Sequence, residues 1–254
     1  MSGWLDPLRV ALDAAANTVT VFVRDDDAGW KDARLFALLD LFAAHEAPID
    51  LAVIPTELGP ALAGELLRRH ADGDGRLGLH QHGYCHANHQ PEGRKCEFGP
   101  ARSLDAQRED IAEGRRILDE QLGGALDPIF TPPWNRCTPD TGVALAELGI
   151  DVLSRDATAT PLGLPGLGEL VVQVDWFASR NGERLSRPQL GTLLAERAAG
   201  PVPLGVMLHH AVMDETEREG VDALLRVLTQ HPNVAMRSMA QVAHTMQLTN
   251  EETP

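Results

Sequence analysis

The stretch TVTVFVRDDDAGW, residues 18–30, joins an apolar segment to a run of charges. Its β-branched residues and alternating apolar positions predict a strand over Thr18–Arg24. Apolar residues at helical spacing then predict a helix from about Asp32 to His45. A strand that runs into charged residues and then into a helix is typical of one parallel βα unit.

The same unit recurs along the chain. Strands are predicted over residues 18–24, 49–54, 76–80, 128–131, 150–154, 169–175, 203–209 and 234–237, and helices over 32–45, 57–70, 103–122, 139–148, 186–199, 215–230 and 238–246. Polar clusters follow five of these strands, and the carboxyl ends of barrel strands carry the chemistry. We therefore predict a distorted (β/α) barrel of seven or eight units, with an open doubly wound sheet as the alternative. No linker divides the chain, so one domain over residues 1–254 is expected.

Composition excludes several classes of partner. The 254 residues carry 22 basic and 37 acidic side chains and a formal charge of -15. Nucleic acids and anionic membrane surfaces need clustered basic residues, so neither is an expected partner. The sequence has no apolar run of about 18 residues, an odd number of cysteines and no signal-like N-terminus. These features predict a cytoplasmic protein acting on a small molecule or a carbohydrate, and they leave the oligomeric state open.

The segment HQHGYCHANH, residues 80–89, contains four histidines directly after the third predicted strand. His82 and His86 are four residues apart, a spacing that puts both side chains on one side of a helical turn. Imidazole nitrogens and carboxylates are common zinc ligands. The pair therefore predicts a metal site, although an isolated pair at this spacing is more often a surface feature.

Three consecutive aspartates close the first predicted strand. Their carboxylates repel one another unless a cation or a proton lies among them, so we expect one of them to bind the same ion. Alternation along an extended strand would put Asp25 and Asp27 on one side and Asp26 on the other. Arg24 is expected to pair with a neighbouring carboxylate. The alternative for this segment is a solvated turn.

Two other strand ends carry candidate residues. LGVMLHH ends in His209 and His210, and alternation puts Leu208 and His210 on the same face. Histidine supplies an acid or a base near neutral pH. In TPPWNR the two prolines extend the chain, Trp134 is a candidate pocket wall, and Arg136 is a candidate partner for a carboxylate.

In their order, these segments resemble the motifs of the polysaccharide deacetylases (NodB-homology, carbohydrate esterase family 4) over roughly residues 21–210. The first motif of that family, T-F-D-D-G, is similar to RDDDAG and implies Asp26 as the catalytic base and Asp27 as a metal ligand. The second motif, H-[ST]-x-x-H, is similar to HGYCH and implies His82 and His86 as the other ligands.

The remaining motifs are less complete. The family motif R-x-P-[YF] corresponds to TPPWNR, where Thr131 replaces the arginine that orients the base, and Arg136 is expected to take over that role. The motif L-x-H corresponds to Leu208 and His210, which implies His210 as the general acid and Leu208 as a pocket wall. Trp134 is implied at the catalytic centre, where nearby backbone N–H groups would stabilise an oxyanion. The fourth motif is reduced to two residues, and the substrate-pocket residues implied in addition to Leu208 are Asp175, Trp176 and Tyr84.

The resemblance implies a hydrolase that removes an N-linked acyl group, above all acetyl, from a carbohydrate or a small amino-sugar-like substrate by means of metal-activated water. Zinc is the expected ion, and cobalt, nickel, manganese and iron accept the same ligands. Lys95, Glu97 and Arg102, in a long loop, are candidates to close over the ligand. Two alternatives are a binding or regulatory barrel without catalysis, and another metal-dependent amidohydrolase with His80 and His82 as its ligand pair.

Overall fold

The computed structural model describes residues 3–251, with side chains as far as residue 246. Its strands, in chain order, are β1 (Val19–Ala28), β2 (Ile49–Val53), β3 (Leu77–His82), β4 (Leu126–Thr131), β5 (Val152–Asp156), β6 (Gly168–Val172), β7 (Val174–Asp175), β8 (Ser179–Arg180), β9 (Glu183–Arg184), β10 (Leu204–Leu208) and β11 (Val234–Met236). Eight of them follow one another in the order β6, β5, β4, β3, β2, β1, β10, β7. All neighbouring pairs along this path are parallel wherever a pairing register is defined.

The barrel closes through one bent segment. Only Gln173 separates β6 from β7, so the same stretch of chain pairs with β5 at its start and with β10 at its end. The side chain of Gln173 also accepts a hydrogen bond from the backbone of Gly205 at the closure. The result is a nearly closed barrel of parallel strands, which confirms the predicted fold class. Outside this path, β11 pairs with β1, and β8 and β9 form a separate hairpin.

Helices surround the strands. Their bounds are α1 (Asp6–Ala14), α2 (Asp32–Ala44), α3 (Pro60–Asp72), α4 (Leu104–Leu122), α5 (Pro139–Glu147), α6 (Arg187–Ala198), α7 (Glu215–Gln230) and α8 (Met239–Glu251). The predicted helices correspond to α2 through α8 within a few residues at most ends, whereas α1 and the hairpin of β8 and β9 were not predicted. Among residues 3–251, no helix combines the length and the apolar character that a membrane crossing requires.

The strand β1 separates two environments. Val21 and Val23 pack into the large core between the strands and the outer helices. Phe22 lies on the other face, in a cluster inside the barrel with Met239 and Val242 of α8. The helix α8 therefore fills the barrel at the end opposite the polar clusters, and the next inward residues of β1 after Phe22 are Arg24 and Asp26.

The end of β1 departs from regular pairing. The register against β2 shifts between Asp25 and Ala28, and Asp27 has a left-handed backbone with φ 71°. This bulge breaks the two-residue alternation, so Asp27 turns to the same mouth as Asp26. The expectation that Asp25 and Asp27 share a side is therefore wrong.

Candidate active site

Asp27, His82 and His86 meet at the carboxyl ends of β1 and β3. Asp27 Oδ1 lies 3.3 Å from His82 Nε2 and 3.2 Å from His86 Nε2. That oxygen is buried, and it has no hydrogen-bond partner among the residues that the structure describes. Ligand atoms that bind one ion at about 2.0 to 2.2 Å lie about 3 to 3.5 Å from one another, so these three residues fit a divalent metal ion.

The two histidines converge through an irregular turn. Gly83 and His86 both have left-handed backbones with φ 55°, and the residues between them are not helical. The expected helical turn is therefore wrong, although the expected convergence of the two side chains is present. His82 Nδ1 donates to the carbonyl oxygen of Thr131 at 3.0 Å, which leaves Nε2 facing Asp27. Such a bond to the second nitrogen fixes the ring of a metal-ligating histidine.

Asp26 is held by an arginine of its own strand. Arg24 Nε donates to Oδ1 at 2.8 Å and Arg24 Nη2 donates to Oδ2 at 3.0 Å. The same guanidinium donates to Ser154 and Asn135 across the barrel. Burial alone would raise the pKa of Asp26, but the Arg24 charge holds this pKa below its ordinary value. Asp26 is therefore an ionised, oriented carboxylate at neutral pH.

Arg136 does not reach Asp26. Its Nη1 donates to the backbone oxygen of Lys95 at 2.8 Å, and its side chain lines a neighbouring cavity. The expectation that Arg136 orients Asp26 is therefore wrong, and Arg24 holds this carboxylate instead. The usable signal was the spacing, since Arg24 and Asp26 are two residues apart and share one face of the strand. Thr131, at the place of the family arginine, bonds to His80 instead.

His210 lies outside the pocket. Its Nδ1 is 2.5 Å from Asp25 Oδ2, and its Nε2 is 2.6 Å from the carbonyl oxygen of Trp30. Both neighbours are acceptors, so both nitrogens carry protons. Burial opposes the charged ring, but Asp25 outweighs this and raises the pKa of His210 to about 9. His210, the predicted acid, is therefore fully buried in an ion pair with Asp25. The expectation that its side chain lies in the pocket is wrong.

His209 takes the position that was expected for His210. The strand β10 ends at Leu208 and a 3-10 turn begins at His210, so alternation does not extend through the two histidines. His209 lines the pocket with 27% of its side chain exposed, and its Nε2 lies 4.0 Å from Asp26 Oδ2. Asp175 lies near His209, and burial raises the pKa of its carboxyl group above its ordinary value.

The pocket has a volume of about 490 Å³. The residues that line it are Asp26, Asp27, Trp30, His82, His86, Lys95, Trp134 and His209. The rings of Trp30 and Trp134 lie 4.7 Å and 4.5 Å from the ring of His86. Trp134 is thus at the pocket wall as expected. Trp30 was not named as a pocket residue in the sequence analysis, although it ends the stretch TVTVFVRDDDAGW only three residues after Asp27.

Three predicted pocket residues lie elsewhere. Leu208 is buried in the core against the outer helices. Trp176 belongs to the same core and donates through Nε1 to Glu217 at 2.7 Å. Tyr84 packs beside the cluster of Phe98. These positions correct the expectation that the three side chains line the substrate pocket.

The long loop is divided between different roles. Lys95 lines the pocket, as expected of a loop residue near a ligand. Glu97 is fully buried beneath the loop, and Arg102 pairs with Asp110 at 2.6 Å. Neither of these two side chains faces the pocket, so the expectation that they grip a ligand is corrected.

His80 does not belong to the cluster of Asp27, His82 and His86. It is fully buried, and its Nε2 bonds to Thr131 Oγ1 at 2.9 Å. Burial, with the charge of Arg24, lowers the pKa of His80 to about 3, so the ring is neutral. Asp27, His82 and His86 form the clustered donor set at this mouth, and the alternative pair of His80 and His82 is not formed.

Comparison with known proteins gives structural matches without sequence matches. The sequence matches no family model and no curated protein. A protein assigned to the polysaccharide deacetylases, from Mycobacterium smegmatis, is 17% identical with a TM-score of 0.68 over 93% of both chains.

Two further matches belong to carbohydrate esterase family 4. A family 4 acetyl xylan esterase from Clostridium thermocellum, solved with a cobalt ion, is 14% identical with a TM-score of 0.59, covering 90% of this chain and 92% of its own. A CE4 family pseudoenzyme from Bacillus anthracis is 14% identical with a TM-score of 0.57, and the match covers 90% of this chain and 66% of the pseudoenzyme.

The chain has the polysaccharide deacetylase fold. Within this fold Asp26, Asp27, His82 and His86 lie at the carboxyl ends of the strands, where barrel enzymes carry their chemistry. An esterase and a pseudoenzyme have this same fold. The activity of this chain therefore has to be argued from the residues of its pocket.

Proposed function

We propose that this chain is a metal-dependent hydrolase that removes an N-linked acetyl group from a carbohydrate or a small amino-sugar-like substrate. One observation carries the proposal. A single pocket contains three clustered ligand atoms from Asp27, His82 and His86. It also contains the Asp26 carboxylate, which Arg24 holds, and the partly exposed imidazole of His209.

The metal ligands in this proposal are Asp27, His82 and His86, with zinc as the preferred ion. A divalent ion bound there supplies polarisation of the acyl oxygen and makes water more acidic. The structure of a family 4 esterase in complex with cobalt supports metal binding by proteins of this fold. The carboxylate and imidazole donors also accept cobalt, nickel, manganese and iron.

Asp26 is the proposed base. Arg24 binds one lone pair on each carboxylate oxygen, which leaves further lone pairs that can accept the proton of an attacking water. The guanidinium also keeps the carboxylate ionised before the reaction. Asp26 thus supplies a fixed acceptor on one side of the pocket.

His209 is the proposed acid. Its ring lies in the same pocket as Asp26, and its Nε2 lies 4.0 Å from Asp26 Oδ2. His209 gives a proton to the departing amine nitrogen as the C–N bond breaks. Asp26 takes one proton from the attacking water, so the protons taken and given by the two residues balance. This assignment replaces His210 with its neighbour.

Trp30 and Trp134 support a carbohydrate as the substrate. Both indole rings line the pocket beside the metal cluster, and aromatic faces offer apolar area to the C–H faces of a sugar ring. A volume of about 490 Å³ falls within the range of small-molecule sites. These features support an amino sugar or one unit of a polymer as the bound group.

The test is acetate release from N-acetylated amino-sugar monomers and oligomers by metal-loaded protein. We expect release by the wild-type protein and a loss of about 10² to 10⁴ in turnover for Asp26→Asn, with metal content unchanged. Full activity in this variant would contradict the base assignment. Metal binding without release across the panel would favour a carbohydrate-binding barrel, and release from O-acetylated sugars alone would make the enzyme an esterase.

A further inference from the structure

A buried carboxylate lies directly behind the turn that carries His86. Glu97 is fully buried, and its partners are backbone N–H groups of that turn. Oε2 accepts from Tyr84 at 3.2 Å, and Oε1 accepts from Cys85 at 2.9 Å and from Ala87 at 3.3 Å. The residues that donate therefore lie on both sides of His86.

The turn needs such support because its backbone is unfavourable. His86 has φ 55°, a left-handed conformation that residues with a side chain rarely adopt. Backbone N–H groups that point towards one place form a binding site for an anionic group. Glu97 and the turn thus stabilise each other.

Gly83 shows how closely the carboxylate fits. A Cβ at this position would overlap Glu97 Oε2 and the ring of Pro133. The motif that HGYCH resembles has a serine or threonine at this place, whereas here the carboxylate occupies the space beside the glycine. The two unusual features, Gly83 and a buried Glu97, are therefore parts of one arrangement.

We propose that Glu97 is a positioning residue that presents His86 Nε2 to the metal site, and this inference rests on the proposed metal ligands. Glu97 also lies beside Cys85 and His89, and these three side chains could themselves hold an ion. We favour positioning because Oε1 already accepts from two backbone N–H groups and from the Cys85 thiol. The bonds that would have to break are those that shape the turn.

The experiment is a calorimetric titration of metal-free, full-length protein with zinc. In Glu97→Gln an amide N–H faces a backbone donor, so the turn loses at least one bond. We expect one zinc ion per wild-type chain and an affinity about 10 to 100 times lower for Glu97→Gln, the range found for residues that support metal ligands. The matched control is Glu92→Gln, the same change at an exposed position of the same loop, where the affinity should not change.

Amide hydrogen exchange of the wild-type protein tests the inference without a variant. The N–H groups of Cys85 and Ala87 should exchange more slowly than those of the exposed residues 92–94. If Glu97→Gln does not fold, the exchange rates of the Cys85 and Ala87 N–H groups in the wild-type protein decide the inference.

Three results would overturn the inference. They are equal zinc affinity of folded Glu97→Gln and wild type, rapid exchange at Cys85 and Ala87, and a second zinc ion that disappears with Glu97→Gln. If the wild-type protein binds no metal, the proposed function fails instead. The failure of the two proposals is therefore distinguishable.

Discussion

At the scale of residues, the end of β10 shows how two neighbouring histidines acquire opposite roles. His210 has acceptors at both ring nitrogens and is buried, whereas His209 faces the pocket. The sequence predicted a histidine at this strand end. Its choice of His210 was wrong for the pocket, because alternation holds only while the chain is extended, and the strand ends at Leu208.

This difference predicts two separable variants. His209→Asn should lower turnover by about 10² to 10⁴ with little change in the free energy of unfolding. His210→Asn should destabilise the fold by about 3 to 5 kcal/mol, because the buried Asp25 carboxylate loses its charged partner. Acetate release and urea unfolding of both variants measure the two effects. A catalytic defect of His210→Asn without loss of stability would restore His210 as the acid.

The base shows the reverse case. Arg24 and Asp26 share one strand face, so their pairing follows from local geometry. Arg24 was accordingly expected, from the sequence, to pair with a neighbouring carboxylate. Arg136 was expected to act through a turn, and the direction of a turn depends on tertiary contacts that spacing does not give. Here the Arg136 side chain follows the loop of Lys95 instead.

At the scale of elements, α1 shows where sequence patterns are weakest. The helices α2 to α8 alternate with strands in a repeating order that the apolar periodicity predicts. The helix α1 lies outside that order, and within its nine residues only Leu8 and Leu12 are buried. So short an apolar pattern does not distinguish a helix from a loop.

The contact between α6 and the 3-10 turn Gly3–Leu5, which precedes α1, predicts the effect of two helical glycines. A Cβ at Gly191 of α6 would overlap the backbone oxygen of Trp4, whereas a Cβ at Gly64 of α3 meets nothing within 4 Å. Gly191→Ala should therefore destabilise the protein by about 1 to 3 kcal/mol through overpacking. Gly64→Ala is the matched control and should stabilise by about 0.5 to 1 kcal/mol. Urea unfolding of both variants measures these changes, and equal effects at the two sites would contradict the close contact between Trp4 and α6.

At the scale of the whole molecule, the barrel has a polar mouth and an apolar floor with one acidic exception. Asp50 of β2 is fully buried near the floor. Its Oδ2 accepts from the backbone N–H of Met239 in α8, and its Oδ1 has no hydrogen-bond partner within the described part of the chain. Burial raises the pKa of Asp50 well above its ordinary value, and the charge of Asp127 raises it further.

The raised pKa predicts how stability depends on pH. Below pH about 4 Asp50 is protonated in both the folded and the unfolded chain. Above that pH the unfolded chain releases this proton while the folded chain retains it, so stability falls as pH rises towards the folded pKa. Asp50→Asn should show a shallower fall in the free energy of unfolding between pH 4 and 7. Parallel curves for variant and wild type would contradict the protonated state of Asp50.

The most direct test of the central claim is acetate release by protein that has been stripped of metal and then reloaded. We predict that chelation abolishes release from an N-acetylated amino sugar, that one equivalent of zinc or cobalt restores it in the wild-type protein, and that neither metal restores it in Asp27→Asn. Asp27 Oδ1 is the oxygen that faces both histidines, so its loss should remove the ion. Undiminished release by the stripped protein, or full recovery in Asp27→Asn, would contradict the account.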